Sequence, residues 1–341
     1  MVFSILQSAS VPCYLVRRDA EGRVTARVET VSPDNLPEGD VLIRVAYSSL
    51  NYKDALACHG HPGVVRAFPH VPGIDCAGVV VESAANDYRP GEEVLVTGYE
   101  LGAARWGGFC ALVRVPAEWV VPLPAGLSLR EAMIYGTAGF TAAQCVSAIV
   151  ERGIEPDRGP VVVTGATGGV GSLAVAILAK LGYEVEAVTG KGEQAEWLHR
   201  LGVRKVLGRS EVLDESDRPL LAARWAAAVD TVGGKPLATV LRSMQYRGCV
   251  AACGLVAGAE LELTVYPFIL RGATLAGIDS AKCPRPQRLE MWRKLAGPWR
   301  VERLEEIAGE VTLDELPDRV EKMLSGQLVG RTLVVPHSNE L

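Results

Sequence analysis

The feature that most constrains this chain is VVVTGATGGVGS, residues 161–172. An apolar run ends in glycines at 165, 168 and 171, and a second apolar run carries on to Leu181. Glycine has no Cβ, so the main chain can turn tightly there and approach a pyrophosphate closely. A helix that starts at the turn adds free N–H groups and the positive end of its dipole. Glycines also serve ordinary tight turns. Here a strand precedes the turn, a helix follows it and a second βα unit arrives on schedule, which favours a dinucleotide cofactor. No Gly-Lys-Ser/Thr follows, so this is not a Walker loop.

The end of the next strand selects the cofactor. NAD sites place an acidic residue there, roughly twenty residues after the glycines, for the ribose hydroxyl. This chain has Thr189-Gly190-Lys191 instead, with Arg209 after the third strand. Small donors and cations suit a 2′-phosphate, so NADPH is favoured over NADH. The plain alternative is that Lys191 and Arg209 are solvated surface charges. Glu186, two residues before the strand ends, argues for NADH.

Around this motif the chain divides in two. Residues 1–130 read as a barrel-like β domain with little helix. Strands are expected at 41–47, 78–82, 93–96 and 110–115, with turn signals between them. From Leu129 apolar strands alternate with helical segments, the pattern of a parallel sheet. Strands are expected at 160–164, 184–188, 205–207, 226–230, 249–253 and 274–277, and helices at 169–181, 193–201 and 235–244. Six strands with helical crossovers is the count of a doubly wound dinucleotide-binding domain, taken as residues 131–280. The segment 281–341 turns polar, then closes on RTLVV, an apolar strand starting at Arg331 that most simply rejoins the first domain.

Composition excludes several classes. Of 341 residues, 48% are hydrophobic and 22% charged, too apolar for intrinsic disorder. A net charge of −5 leaves no basic footprint for nucleic acid. The uncharged runs 132–150 and 159–179 meet the length of a membrane span, roughly 18–20 residues. Glycines, threonines and other polar residues interrupt both, so burial in an α/β domain is the better reading, with no membrane partner. The segment 1–18 lacks the charged and long apolar regions of a signal peptide. Eight cysteines, at 13, 58, 76, 110, 145, 249, 253 and 283, include no CxxC pair. That fits reduced thiols and a cytoplasmic location.

SSLNYKDAL at 48–56 and PGIDCAG at 72–78 resemble the medium-chain dehydrogenase/reductase superfamily, whose fold is a GroES-like β-barrel catalytic domain plus a Rossmann domain. Its zinc-dependent alcohol dehydrogenases have a cysteine in the first stretch and Gly-His-Glu in the second. Here those positions hold Asn51 and Ile74-Asp75, and the cysteine-rich structural-zinc lobe is missing. An amide and one carboxylate will not hold a tetrahedral catalytic zinc. His59, His61 and His70 match no ligand spacing, so no metal is expected.

NYKDAL, FPHVPGIDCAG, WGGF, GTAGFTA, VVTGATGGVGS, DTVGG, CGLVAG, PFILRGATLAGIDS and GRTLV are collinear along nearly the whole chain. Together they resemble the zinc-independent quinone oxidoreductase branch, and within it the acryloyl-CoA reductase (NADPH) family. The resemblance implies that Tyr52 lies at the nicotinamide. It implies that Gly165, Thr167, Gly168, Gly169, Val170 and Gly171 hold the pyrophosphate. Thr189, Gly190, Lys191 and Arg209 would take the 2′-phosphate end, and Leu255, Ile269 and Ser280 the nicotinamide side. The implied reaction is reduction of an activated C=C bond in a small-molecule substrate, an α,β-unsaturated CoA thioester, by a homodimer. Tyr52, Asn51, Asp54, Asp75 and Arg331 are the catalytic candidates, the last four expected to face the cleft. Each of those has a plainer role open: Asp54 as a helix cap, Asp75 as a loop anchor, Arg331 as the partner of a surface carboxylate. Quinone reduction and a non-enzymatic NADPH-binding protein are the competing readings.

Overall fold

The computed structural model describes residues 10–337, so residues 1–9 of the segment scanned for a signal peptide lie outside the described residues. The chain forms two compact units. Among the described residues, one comprises 10–137, Ala281–Leu289 and 304–337; the other is Ala138–Ser280 with Glu290–Arg303.

The first unit opens with an antiparallel pair, β1 (Val11–Arg18) and β2 (Val24–Val31). β3 (Val41–Leu50) then leads into a short helix, α1 (Tyr52–Cys58), inside a segment expected to be nearly all β. β4 (Asp75–Ser83), β5 (Glu93–Thr97), β6 (Leu112–Val115) and β7 (Val121–Pro122) follow. β3 is the axis of this sheet. Most of its length pairs with β4 on one edge, while residues 41–44 pair with β6 on the other. Leu15 of β1, Val45 of β3 and Val96 of β5 are buried in one apolar cluster with Phe109, which precedes β6.

α2 (Leu129–Val150) crosses the division between the units, and at Gly136 (φ 49°, ψ −154°) its backbone leaves helical geometry. By length and composition α2 could cross a membrane, but 83% of its apolar window is buried in the protein. It is a core helix.

The second unit begins with β8 (Val161–Thr164), α3 (Gly169–Lys180), β9 (Val185–Val188), α4 (Ala195–Arg200) and β10 (Lys205–Leu207). β11 (Trp225–Asp230), α5 (Gly234–Arg242), β12 (Met244–Ala252), α6 (Tyr266–Arg271) and β13 (Thr274–Gly277) complete it. All neighbouring strands are parallel, in the order β10-β9-β8-β11-β12-β13. The order reverses between β8 and β11, which opens a crevice beyond their carboxyl ends. β12 begins at Met244 rather than at Cys249. The polar stretch before Cys249 hides the strand in sequence, and the structure absorbs it as a bulge with Arg247 at φ 58°.

The tail contains α7 (Arg285–Ala296), β14 (Ala308–Thr312), α8 (Leu316–Leu324) and β15 (Arg331–Val335). β15 pairs antiparallel with residues 48–50 of β3, and β14 flanks it. The assignment of all of 281–341 to the first domain needs correction at 290–303, which belongs to the second unit. Trp292 is fully buried and stacks on Phe140 at a 6.0 Å centroid distance, and Lys180 pairs with Glu302. Aromatic burial, not chain order, decides where this stretch goes.

Candidate active site

In the first unit, the polar candidates assemble around Asp75, at the start of β4. Its Oδ2 accepts hydrogen bonds from Ser49 Oγ (2.7 Å), Asn51 Nδ2 (2.8 Å) and the Thr137 N–H (2.9 Å). Its Oδ1 accepts from Thr137 Oγ1 at 2.5 Å. Arg331, the first residue of β15, places Nη2 3.7 Å from Asp75 and donates to Ser49 Oγ, Asn51 Oδ1 and the Leu50 and Ile134 carbonyls. Asp54 closes the other side. Its Oδ2 accepts from the Asn51 N–H at 2.8 Å, half of a capping box on α1, and its Oδ1 accepts from the Gly73 and Ile74 N–H groups.

This arrangement corrects one expectation. Asn51, Asp54, Asp75 and Arg331 do not face a cleft: Asp54 and Asp75 have no exposed surface, and Arg331 and Asn51 are buried. A carboxylate taken out of water needs donors at its lone pairs and a compensating charge. Together with Ser49 and Thr137, the four residues supply these to one another. The plainer role holds for Asp54, which caps a helix; Arg331 pairs with a buried carboxylate, not a surface one.

No role is expected from the sequence for Ser49, Gly136 or Thr137, yet all three belong to this cluster. A Cβ on Gly136 would sit 2.6 Å from Asp75 Oδ2 and 2.8 Å from Arg331 Nη2. Only glycine lets α2 kink there and aim the Thr137 N–H at the carboxylate. The available signal is the glycine of GTAGFTA.

Tyr52 is different. It is the first residue of α1 and 46% exposed, on a helix start fixed by Asn51 and Asp54. The cluster therefore holds a rigid platform that presents one phenol to solvent.

A zinc ion does not fit these residues. Asn51 Nδ2 spends its hydrogens on carboxylates, its Oδ1 faces Arg331, and Asp75 is already saturated by donors. The Arg331 guanidinium supplies the positive charge. Among the described residues, no group of three or more His, Cys, Asp or Glu side chains could hold a metal.

In the second unit, the glycine turn has the geometry its sequence demands. Gly165 adopts φ 61°, and a Cβ there would meet Thr231 Oγ1; one on Gly171 would meet the Gly165 carbonyl. Gly168 is the N-cap of α3, so Gly169, Val170 and Gly171 form its first turn with N–H groups available to an anion. Asp230 at the end of β11 ties the turn down, accepting from Thr164 Oγ1 and the Gly233 N–H, both at 2.7 Å.

Beyond β9, Thr189 Oγ1 accepts from the Lys191 N–H at 3.0 Å and shares a hydrogen bond with Thr167 at 3.1 Å. The Thr189 N–H donates to Leu207 O, which keeps β10 paired to its end. Arg209 leaves β10 two residues later and lays its guanidinium on Gly190, where any Cβ would collide with it. Partial burial holds Lys191 below the ordinary lysine value; Glu193 opposes the shift and the Arg209 cation adds to it. Two cations thus meet at one point, an arrangement that suits a phosphate. Glu186, the residue that favours NADH in the sequence, accepts from Trp225 Nε1 at 2.7 Å and lies 3.6 Å from Arg224. Its carboxylate is engaged inside the sheet layer.

Leu255 and Ser280 leave the carboxyl ends of β12 and β13, on the same side of the sheet as the glycine turn. Ile269 projects from α6, 67% exposed.

Burial, reinforced by the Asp75 charge, pushes the Asp54 carboxyl up to about 7, against the hydrogen bonds from Asn51 and Ile74. A carboxyl raised above its unfolded value stabilises the fold fully at pH below about 4, and that contribution disappears as pH rises through about 7. The stability of wild type relative to Asp54→Asn should therefore fall between pH 4 and 7, with a slope approaching ~1.4 kcal/mol per pH unit. Urea unfolding of both proteins across that range checks this. A pH-independent difference contradicts it.

Several known proteins resemble the chain over most of its length. Residues 37–125 match the family described as alcohol dehydrogenase GroES-like domain, and residues 169–296 match zinc-binding dehydrogenase. The acrylyl-CoA reductase AcuI of Ruegeria pomeroyi is 48% identical over 94% of this chain and 97% of its own length. The crystal structure of Escherichia coli K-12 YhdH with bound NADPH is 47% identical, covers 95% of this chain and all of its own, and superposes with a TM-score of 0.92. Bacillus subtilis YhfP, described as a putative quinone oxidoreductase, is 47% identical over 91% of this chain and 94% of its own length. Its crystal structure with NAD bound gives a TM-score of 0.93 at 45% identity, covering 96% of this chain and all of its own. The chain therefore belongs to the medium-chain dehydrogenase/reductase superfamily and, within its quinone oxidoreductase branch, to the acrylyl-CoA reductase family.

Proposed function

We propose that the chain is a zinc-independent, NADPH-dependent reductase of the activated C=C bond of an α,β-unsaturated thioester such as acryloyl-CoA. The observation that carries this reading is 48% identity, over 94% of the chain, to a relative named for that reaction. When bound, NADPH supplies a hydride to the β-carbon. The first turn of α3, with Gly165 and Thr167, receives the pyrophosphate, and Thr189, Gly190, Lys191 and Arg209 receive the 2′-phosphate. Leu255, Ile269 and Ser280 line the nicotinamide side. Negative charge then builds on the thioester oxygen, and preorganised donors lower the barrier most. Tyr52 is the residue proposed to touch the cofactor or substrate. Asn51, Asp54, Asp75 and Arg331 act through it, by fixing the helix on which it stands.

A second reading, quinone reduction, is favoured by the name of the YhfP relative. A quinone has no CoA tail, so remote binding energy cannot assist its chemical step.

The chain is further proposed to work as a homodimer in the cytoplasm. None of its eight cysteines is in a disulfide. β13 ends the sheet order, and Tyr246, Val256, Val265, Tyr266 and Leu270 stand exposed in the surrounding sequence. An apolar surface beside a sheet edge fits a second copy across a two-fold axis. Light scattering should return the mass of two chains, and a single-chain mass across a range of concentrations contradicts the dimer.

Lys191→Ala should weaken NADPH binding by roughly 1.5–3 kcal/mol, the value of a hydrogen bond to a charged group. NADH binding should barely change. Titration calorimetry with both cofactors checks this, and equal wild-type affinities contradict the NADPH assignment. Steady-state kinetics with acryloyl-CoA, crotonyl-CoA and a quinone should give the highest kcat/KM with a thioester. Tyr52→Phe should lower kcat if its hydroxyl acts in the transition state, or raise the NADPH KM if it only binds the cofactor. Quinone turnover without thioester turnover selects the second reading.

A further inference from the structure

Cys13 on β1 faces Cys110 across an isolated antiparallel bridge. The Tyr14 N–H donates to Phe109 O at 2.8 Å, and the Ala111 N–H donates to Pro12 O at 3.0 Å. Main-chain bonds therefore flank the pair, which occupies a non-hydrogen-bonded position of the ladder. At such positions the Cα atoms stand about 4.5 Å apart and the side chains approach most closely. A disulfide spans Cα separations of roughly 4.4–6.8 Å. The strand register thus puts the two sulfurs within bonding reach.

We propose that Cys13 and Cys110 are a redox pair that a hydroperoxide converts reversibly into a cross-strand disulfide.

The roles of the two sulfurs differ. The neighbouring Cys110 side chain holds the Cys13 thiol below its ordinary value, against burial and the facing Glu29 carboxylate; Arg17 acts with Cys110. The same contact, with burial, pushes the Cys110 thiol up. In the proposed reaction Cys13 is the first nucleophile, since thiolate is the attacking form. Its sulfur attacks one peroxide oxygen and the O–O bond breaks. Cys13 becomes a sulfenic acid, and the other oxygen leaves as an alcohol or water. The Cys110 sulfur then attacks the sulfenyl sulfur, the S–S bond forms, and hydroxide leaves with the Cys110 proton as water. Two thiols lose two electrons and two protons, and the peroxide gains both.

Both thiols are buried, so the oxidant reaches them when the β1–β2 pair opens. The bond would tie β1 to the segment whose Gly107, Gly108 and Phe109 N–H groups donate to residues 71–73. Residues 73 and 74 of that loop hold Asp54. Closing so long a loop restricts the unfolded chain, so the oxidised form should melt at a higher temperature.

The test uses the full-length wild-type protein. It is treated with hydrogen peroxide, remaining thiols are alkylated, and the protein is digested without reductant for mass spectrometry. The expected product is one cross-linked peptide pair joining Cys13 to Cys110, two hydrogens lighter than the separate thiol peptides and released by dithiothreitol. The oxidised protein should show a raised Tm that falls back on reduction. Cys110→Ser should lose the link and leave a dimedone-reactive sulfenic acid on Cys13. Should that variant fail to fold, the wild-type peptide map decides alone. Recovery of both residues as alkylated thiols after peroxide treatment overturns the proposal. So does a disulfide between Cys145 and Cys253 that forms while Cys13 and Cys110 stay reduced.

Discussion

Asp75 has no contact with water, and much of the first unit is arranged around that fact. A buried carboxylate is tolerable only when its lone pairs are filled and its charge is answered. Ser49, Asn51 and Thr137 fill the lone pairs, and Arg331 answers the charge from 3.7 Å. Each partner comes from a different element: the end of β3, the cap of α1, the kink of α2 and the start of β15. Satisfying one carboxylate therefore pins four parts of the chain together. It also forces glycine at 136, because any side chain there would displace the guanidinium or the carboxylate. The structural consequence is a helix start held by hydrogen bonds, with Tyr52 exposed on it.

The second unit solves a different problem with the same economy of parts. Backbone N–H groups at the start of α3 are open to an anion with no side chain at all, the role proposed for them with the diphosphate. Discrimination comes one strand further on. Pairing of β9 with β10 brings Arg209 onto Gly190 beside Lys191, while Trp225 and Arg224 engage the acidic side chain of β9, Glu186. Two cations meet where the strand ends, and the proposed preference for NADPH rests on them.

Much of this is legible in the sequence, for identifiable reasons. The parallel strands are apolar runs bounded by glycine and polar turns, and RTLVV reads as a strand that pairs back on the first domain, as it does on β3. Lys191 and Arg209 are adjacent in space because neighbouring parallel strands end side by side, as they do in every doubly wound sheet. The cluster around Asp75 is not legible as a cluster. Arg331 and Ser49 lie 282 positions apart, and no local periodicity links them. Its members look like cleft residues because polar residues in an apolar chain invite that reading. α1 is too short for its period to show, although Asn51 followed three residues later by Asp54 is a capping signal. α7 reads as a polar tail because Arg288 lies fully buried on the same helix as Trp292 and Leu295.

The central claim is that a hydride passes from NADPH to the β-carbon of an unsaturated thioester. Turnover of acryloyl-CoA with NADPH deuterated at the transferable C4 position, followed by NMR of the propionyl product, tests this directly. The account predicts one deuterium at C3 of the propionyl group and none at C2, where the proton comes from solvent. Propionyl-CoA without deuterium at C3, or no product while a quinone is reduced, would contradict it.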